Sequence, residues 1–192
     1  MEFKDYTKYK WFLTSSGNLV VGGKSADQNE SLLLKLKKQK EDLTLMHTSD
    51  PGSPFSVILS ESPSSSDIQE CAIFTASFSK AWKQKKEKVQ VDTFKLSQLY
   101  KLKSMKTGTW GVKPPVKRLS VSLALVLTKQ KDKLRAVPER SIKSKKDILL
   151  KIVPGDTDKT LLVPQLKSLL PQFNEEDFLS ALPSGGIKII KK

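Results

Sequence analysis

The chain contains a single histidine, His47, and two further residues of its segment have side chains suited to proton transfer. Asp50 and Ser53 follow His47 in the same short stretch. A Ser-His-Asp arrangement in this chain must use His47, but a working triad also needs a rigid nucleophile and oxyanion donors, which a sequence does not show. We therefore interpret His47 as a hydrogen-bonding or phosphate-contacting group, with catalysis as the alternative.

Metal and cofactor chemistry finds little support in the sequence. One histidine and one cysteine, Cys71, cannot build a zinc site of the usual kind. The carboxylates are scattered without a paired acidic motif, and neither G-x-x-x-x-G-K-[ST] nor G-x-G-x-x-G occurs. We expect no metal and no cofactor, and we expect Cys71 to be a buried apolar filler.

Lysine dominates the charge, with 34 Lys and Arg residues against 20 acidic ones for a net charge of +14. Most of this excess lies in residues 80–118, where Glu87 and Asp92 are the only acids. A lysine-rich solvated face is one explanation, but so uneven a distribution favours a polyanionic partner. Because lysine acts as a mobile point charge, we expect recognition of a backbone or a shape rather than of base edges.

Trp110 lies in a segment suited to contact with a nucleotide. Gly108 and Gly111 flank it, and Lys103 and Lys106 precede it. An indole beside phosphate-binding charge can hold a base or a sugar against its face. Core packing, with Trp110 covering the sheet, is the alternative.

The surrounding sequence predicts the elements that position these residues. Apolar runs on both sides of residues 47–54 predict two strands joined by a loop, with Pro51 and Gly52 in its turn. Residues 119–128 alternate as one further strand. Ser25 and Ser66, each followed three residues later by glutamine, are predicted to cap two helices.

These elements predict an α+β fold, with a mainly antiparallel sheet and two packing helices. A polar and basic stretch at residues 138–146 marks the predicted domain boundary. The main domain is assigned to residues 1–138, and a small C-terminal β-α-α-β unit to residues 147–192. That unit is predicted either to dock a partner or to cover an edge of the main sheet.

An ordered set of five blocks surrounds the histidine segment HTSDPGSPFSVIL (47–59). The blocks are YKWFLTSSGNLVVGG (9–23), DQNE (27–30), SFSKAW (77–82), KLKSMKTGTWGV (101–112) and RLSV (118–121). This set resembles the NFACT-R domain, which occurs in NFACT proteins of ribosome-associated quality control and in small stand-alone proteins. The resemblance covers about residues 5–125. Met46 and Phe55 occupy places where family members commonly have an aromatic residue and a second histidine.

The resemblance implies an RNA-binding module that contacts tRNA or ribosomal RNA in translation or ribosome quality control. Lysines would capture the RNA electrostatically, and the histidine loop and the tryptophan would position it. The residues assigned to nucleic-acid contact are His47, Pro51, Gly52, Ser53, Lys80, Lys83, Lys85, Lys103, Lys106, Trp110 and Arg118, with Lys10, Trp11, Gln28 and Asn29 in support. Two alternatives stay open, namely an RNA-processing enzyme centred on His47 and a protein-interaction adaptor that uses the C-terminal unit.

The cellular setting follows from what the sequence lacks. No apolar run approaches the 18 or more residues of a membrane span, and the start of the chain lacks a signal-peptide core. A single cysteine fits a reducing cytoplasm. We expect a cytoplasmic protein with RNA, and possibly the ribosome, as partner and with no membrane contact; its oligomeric state is not indicated.

Overall fold

The computed structural model describes residues 3–190, in which antiparallel strands form two large sheets and one small one. The first sheet has six strands in the order β1-β2-β4-β3-β5-β8, the second has four in the order β10-β9-β11-β12, and β6 pairs with β7. The strands are β1 Lys10–Leu13, β2 Leu19–Gly22, β3 Thr44–Thr48, β4 Ser56–Ile58, β5 Lys88–Lys95, β6 Leu99–Tyr100, β7 Gly111–Val112, β8 Lys117–Ser122, β9 Leu125–Gln130, β10 Lys133–Val137, β11 Leu150–Asp158 and β12 Gly186–Ile190. The helices are α1 Ala26–Lys37, α2 Ser65–Ser77, α3 Lys80–Lys83, α4 Lys159–Leu169 and α5 Glu175–Ala181. The predicted α+β class is confirmed.

The first sheet is buried on both faces because its strands carry apolar side chains at successive positions. Trp11 and Leu45 contribute to a core with the leucines of α1, whereas their neighbours Phe12 and Met46 contribute to a core with α2. Successive strand residues point to opposite faces, so one helix covers each side of the sheet. This layering fixes the ends of β1 and β3, where Lys10 and His47 lie.

The second sheet joins the two parts of the chain that the sequence appeared to separate. Strand β9, before the predicted boundary at residues 138–146, pairs with β11 after it. Trp82 on α3 is fully buried and donates its indole N–H to the Gly186 carbonyl at 3.0 Å. One apolar cluster includes residues of both parts. Whether residues 1–138 fold alone stays a prediction.

The predicted single strand over residues 119–128 is wrong. The chain leaves the first sheet after Ser122 and enters the second sheet at Leu125, so the segment forms β8 and β9. The alternation of apolar residues continues through the break, since Val121, Leu123 and Leu125 are all buried. Periodicity alone therefore does not reveal the change of sheet.

Helix starts agree in part with the sequence. Ser25 caps α1, as predicted, by accepting a hydrogen bond from the Gln28 amide. Helix α2 is capped by Ser64, not by Ser66, and Asp67 completes the capping box. The side-chain amide of Asn18 also donates to Asp67 at 3.0 Å, and this contact from the first hairpin favours the earlier start. Within residues 3–190 no helix is long and apolar enough to cross a membrane.

Candidate nucleic-acid interface

An open cavity of about 590 Å³ lies where several of the distinctive sequence segments meet. Its wall is built from the start of β1, the start of α1, the loop after β3 and the segment before β7. The predicted site residues that line it are Lys10, Asn29, His47, Pro51, Gly52, Ser53 and Trp110. These residues are distant in sequence, and the tertiary fold brings them to one place.

The His47 loop, defined as residues 47–55, is held by hydrogen bonds within itself and by hydrogen bonds to α3 and β5. Ser53 Oγ accepts from the Thr48 amide at 2.9 Å and donates to the Pro54 carbonyl at 3.1 Å. Thr48 Oγ1 donates to the Asp50 carbonyl at 2.6 Å. Gly52 has φ of 111°, a conformation that favours glycine. The predicted turn at Pro51 and Gly52 is therefore a fixed feature of the cavity wall.

His47 itself is partly buried and belongs to an aromatic contact. Its Nδ1–H donates to the Thr48 carbonyl at 2.7 Å, and its ring centroid is 4.6 Å from that of Phe55. Burial lowers the pKa of His47 below its usual 6.5, although the Thr48 carbonyl, the Asp92 carboxylate and the Ser53 backbone favour the charged form. A neutral imidazole with Nδ1 protonated presents Nε2 as a hydrogen-bond acceptor.

The three residues that raised the possibility of a catalytic triad are engaged elsewhere. Asp50 pairs with Lys86, whose Nζ is 2.7 Å from the carboxylate, and the Ser53 hydroxyl makes the loop contacts given above. Neither side chain hydrogen-bonds to His47. No group of three or more His, Cys, Asp or Glu side chains within residues 3–190 is placed to hold a metal ion.

The Trp110 loop, defined as residues 101–110, is attached to α1 by a pair of charged residues. Glu30 Oε2 on α1 accepts from Lys101 Nζ at 2.8 Å and from the Gly108 amide at 2.8 Å. Lys101 Nζ also donates to the Lys106 and Thr109 carbonyls at 2.9 and 3.0 Å. One ammonium and one carboxylate thus satisfy several polar groups of a loop that has little regular structure of its own.

The electrostatics of Glu30 agree with this role. Burial alone would raise the pKa of Glu30, but the Lys101 ammonium and the Gly108 N–H hold it below its usual value. The Trp110 indole N–H adds to this lowering of the pKa, although it forms no hydrogen bond of normal length and is otherwise unpartnered. The carboxylate is therefore charged and held in place near pH 7.

The Trp110 ring both packs on the core and lines the cavity. The ring is partly buried and packs against the apolar cluster beneath α1, while part of it lines the cavity. Lys37 and Lys101 place their ammonium groups 5.8 and 5.5 Å from the ring centroid. Cations at this range attract the electron-rich face of an indole, so they orient the ring.

The side chains of Gln28 and Asn29 link the start of α1 to neighbouring segments by hydrogen bonds. Asn29 is buried, lines the cavity and accepts the Phe55 amide at 3.1 Å, which ties the helix to the His47 loop. Gln28 accepts the Lys24 amide at 3.0 Å and donates to the Lys8 carbonyl at 3.4 Å. Both side chains fix the wall, and Asn29 also forms part of it.

The predicted basic contacts fall into two groups. Lys85 pairs with Asp156, and Arg118 pairs through Nε with Asp92 at 2.6 Å. The remaining lysines, Lys80, Lys83, Lys103 and Lys106, are exposed and make no ion pair within residues 3–190. The stem of Lys80 covers Gly52, where an added Cβ would lie 2.5 Å from Lys80 Cδ. The unpaired lysines can meet an anion without losing an internal partner.

Trp11, which the sequence assigned a supporting role, lies outside the lining of the cavity. It is buried with a guanidinium, that of Arg135, 4.8 Å from its ring. Sequence reasoning also missed Glu30 and Lys101 as anchors of the Trp110 loop. They lie 71 residues apart, and Glu30 had an ordinary explanation as an acid near a helix start.

Comparison with known proteins assigns this chain to a family. Residues 8–114 match the family described as the NFACT protein RNA binding domain. The chain belongs to this family, which confirms the resemblance drawn from the sequence blocks. The matched range includes the His47 loop, the Trp110 loop and the start of α1, and ends before β8.

Two relatives extend the comparison. The archaeal Rqc2 homolog aRqcH of Methanocaldococcus jannaschii is 30% identical over 206 aligned residues, which include the whole of this chain but only 30% of that protein. The C-terminal part of the fibronectin/fibrinogen-binding protein from Streptococcus suis is structurally similar, with a TM-score of 0.54 and 26% identity. That match covers 64% of this chain and 48% of the other. The chain thus spans about a third of its curated relative.

Proposed function

We propose that this protein binds RNA through the 590 Å³ cavity. The observation that carries the proposal is the convergence of the His47 loop and the Trp110 loop on one cavity within the matched family domain. An open site that contains an aromatic ring, hydrogen-bonding groups and nearby unpaired lysines suits a nucleotide with its attached phosphates.

In the proposed mode, a base or ribose enters the cavity beside Trp110. The partly buried indole offers an apolar surface, and the neutral His47 ring offers a hydrogen-bond acceptor. Asp92 lies in the wall, and its charge is balanced by Arg118, so it can accept a hydrogen bond with less repulsion of phosphate. These groups position one nucleotide without reading a long sequence.

The exposed lysines supply the capture step. Lys103 and Lys106 are in the Trp110 loop, and Lys80 lies against the His47 loop. Lysine contacts to phosphate release counterions and carry no base preference of their own. The proposed specificity therefore comes from the shape of the RNA and from the cavity.

The proposed RNA is tRNA or ribosomal RNA, and the proposed setting is ribosome-associated quality control in the cytoplasm. Family membership and the similarity to an Rqc2 homolog support this setting. The excess of lysine over arginine supports contact with a structured RNA surface rather than with a defined base sequence.

Crosslinking of the protein to cellular RNA, followed by sequencing, tests the proposal and identifies the RNA. The recovered RNA is then titrated with purified protein at several salt concentrations. We expect log K to fall linearly with log salt because the lysines displace counterions. The double variant Lys103→Gln, Lys106→Gln should bind more weakly, whereas Lys8→Gln, on an exposed turn away from the cavity, should not. Absence of binding at low salt would refute the proposal.

A further inference from the structure

A group of cations lies at the junction of the two large sheets, where edge strands β1 and β10 approach each other. The side chain of Gln130 joins the sheets by accepting the Leu13 amide at 2.8 Å and donating to the Leu13 carbonyl at 2.9 Å. The cations around this junction come from four separate elements and are Lys10, Lys24, Arg135 and Lys159. Only the first was a candidate from the sequence.

Aromatic rings, rather than carboxylates, hold two of these cations. Lys10 Nζ lies 4.4 Å from the centroid of the Phe78 ring, and Arg135 Cζ lies 4.8 Å from that of the Trp11 ring. Lys10, Lys24 and Arg135 make no ion pair with a carboxylate in the part of the chain that the structure describes. A ring stabilises a cation without neutralising it, so the positive charge of the group persists.

Each of these cations also makes the charged form of its neighbours less stable. Burial, together with the charges of Lys159, Arg135 and Lys24, lowers the pKa of Lys10 to about 8. Burial lowers the pKa of Arg135 to about 10, and only Asp177 opposes this effect. The Asp177 carboxylate accepts the Asn174 amide at 3.0 Å as a helix cap. Cations that are poorly hydrated and mutually repelling gain stability when an anion is placed between them.

The two cavities show which of these cations face the same space. Lys10 and Lys24 both line the 590 Å³ cavity. Lys24 and Arg135 both line a second cavity of about 340 Å³, which Glu176 and Asp177 also line. The start of α1, at Ser25 and Ala26, lines the first cavity beside Lys24. Free amide groups at a helix N-terminus add to the positive potential there.

We propose that Lys10 and Lys24 form a phosphate-binding site at this junction, which takes one phosphate group of the RNA that enters the cavity. The inference rests on the proposed function, and it adds a direction to the RNA path. Arg135 and Lys159 lie beyond the matched range of residues 8–114. The RNA backbone then runs from the Trp110 side of the cavity across Lys10 and Lys24 towards the C-terminal half of the protein.

Salt titration of single variants tests the assignment. Lys10→Gln and Lys24→Gln should each weaken RNA binding several-fold at low salt and reduce the magnitude of the slope of log K against log salt by about 1, as expected for one lost phosphate contact. The matched control is Lys8→Gln, because Lys8 precedes β1, is exposed and has a carboxylate partner in Asp5 at 3.5 Å. Its affinity and slope should equal those of the wild type. If Lys10→Gln unfolds the protein, Lys24→Gln still tests the assignment. Lys24 is exposed, so its substitution should leave the fold intact.

Competitive labelling of lysines near pH 8 provides a readout that does not depend on affinity. The Lys10 amine is partly deprotonated at this pH, so it should react, and RNA should protect it while Lys8 stays reactive. Inorganic phosphate at matched ionic strength forms a second arm. Protection by phosphate but not by RNA would show a site for free phosphate and overturn the RNA assignment.

The experiments distinguish a failure of the junction site from a failure of the proposed function. If the wild type binds RNA but the Lys10 and Lys24 variants keep both affinity and slope, the junction site is refuted and the cavity proposal stands. If the wild type binds no RNA, both the proposed function and the assignment of an RNA phosphate fail, and the phosphate arm shows whether the cations bind an anion at all.

Discussion

The His47 loop and the Trp110 loop frame the same cavity, but different interactions hold them. The His47 loop joins two strands of the first sheet and is held both by hydrogen bonds within residues 47–55 and by hydrogen bonds to α1, α3 and β5. The Trp110 loop joins two strands of only two residues each and is fixed by Glu30 on a distant helix. We infer that the first loop is a rigid wall and that the second is the wall whose position a mutation can change.

The largest expected effect comes from Gly108→Ala in the Trp110 loop. Gly108 has φ of 77°, and an added Cβ would lie 2.7 Å from Ala26 Cβ and 2.8 Å from Ala26 Cα. The left-handed conformation and the clash with helix backbone should together cost about 2–4 kcal/mol of unfolding free energy or displace the loop. Chemical denaturation and RNA titration measure the two outcomes.

Gly17→Ala is the matched control for this change. Gly17 has φ of 84°, but no other atom lies within 4 Å of an added Cβ. Only the conformational cost of about 1–2 kcal/mol should appear, with RNA affinity unchanged. Equal effects of the two substitutions would show that the packing of Gly108 on α1 is unimportant.

Glu30→Gln should release the Trp110 loop while leaving the His47 loop in place. The amide oxygen can still accept from Lys101 and Gly108, but it carries no charge to balance the Lys101 ammonium. We therefore expect a loss of about 1.5–3 kcal/mol, typical of hydrogen bonds to a charged group. Hydrogen exchange should increase in residues 101–110 and stay unchanged in residues 47–55. Equal exchange in the two loops would contradict the comparison.

Glu30 also predicts how the stability of the protein depends on pH. Because the pKa of Glu30 is lowered on folding from its usual 4.5, its contribution is complete above that value and is lost as the pH falls through the folded pKa. The stability of the wild type should therefore fall more steeply below pH 4.5 than that of Glu30→Gln. Parallel curves for the two proteins would show that the ion pair contributes nothing.

Trp110→Ala separates stacking from packing. If the indole stacks on a base, the variant should lose about 1–3 kcal/mol of RNA binding with a small change in melting temperature, and Trp110→Phe should retain most of the affinity. Quenching of tryptophan fluorescence by single-stranded RNA, compared between the wild type and Trp110→Phe, corrects for the signals of Trp11 and Trp82. Unfolding of the alanine variant alone would identify Trp110 as a core residue.

His47→Ala should have the smallest effect, because it removes one hydrogen-bonding ring from a loop that is held by other contacts. We expect a loss of about 0.5–1.5 kcal/mol of RNA binding that exceeds the loss of unfolding free energy. His47→Gln, which keeps a hydrogen-bond acceptor, should recover part of the binding. Normal binding by a strongly destabilised alanine variant would show a purely structural role.

His47 also predicts a second pH window. Its pKa is lowered on folding from the usual 6.5, so its contribution to stability is complete above that value and declines as the pH falls towards the folded pKa. The wild type should lose stability over this interval, and His47→Gln should not. The measurement is a series of melting curves between pH 7.5 and pH 5, a range about the usual pKa of histidine.

Local sequence determined much of the fold and of the His47 loop. Apolar runs located the two strands on either side of the His47 loop, and Pro51 with Gly52 located the turn, because these signals depend on near neighbours in the chain. The distinctive blocks identified the family, and the predicted boundary at residues 138–146 stays a prediction. The assigned contacts also stay predictions, although seven of them line one cavity.

Tertiary structure decided the features that depend on residues far apart. The break between β8 and β9 has no local signal, because both sheets accept the same apolar alternation. Glu30 pairs with Lys101 across 71 residues, and the charge of Arg135 acts on Lys10 only because two sheet edges approach each other. A charge in the sequence shows its sign but not its partner. Whether it is paired, solvated or left to bind a phosphate depends on which surfaces the fold brings together.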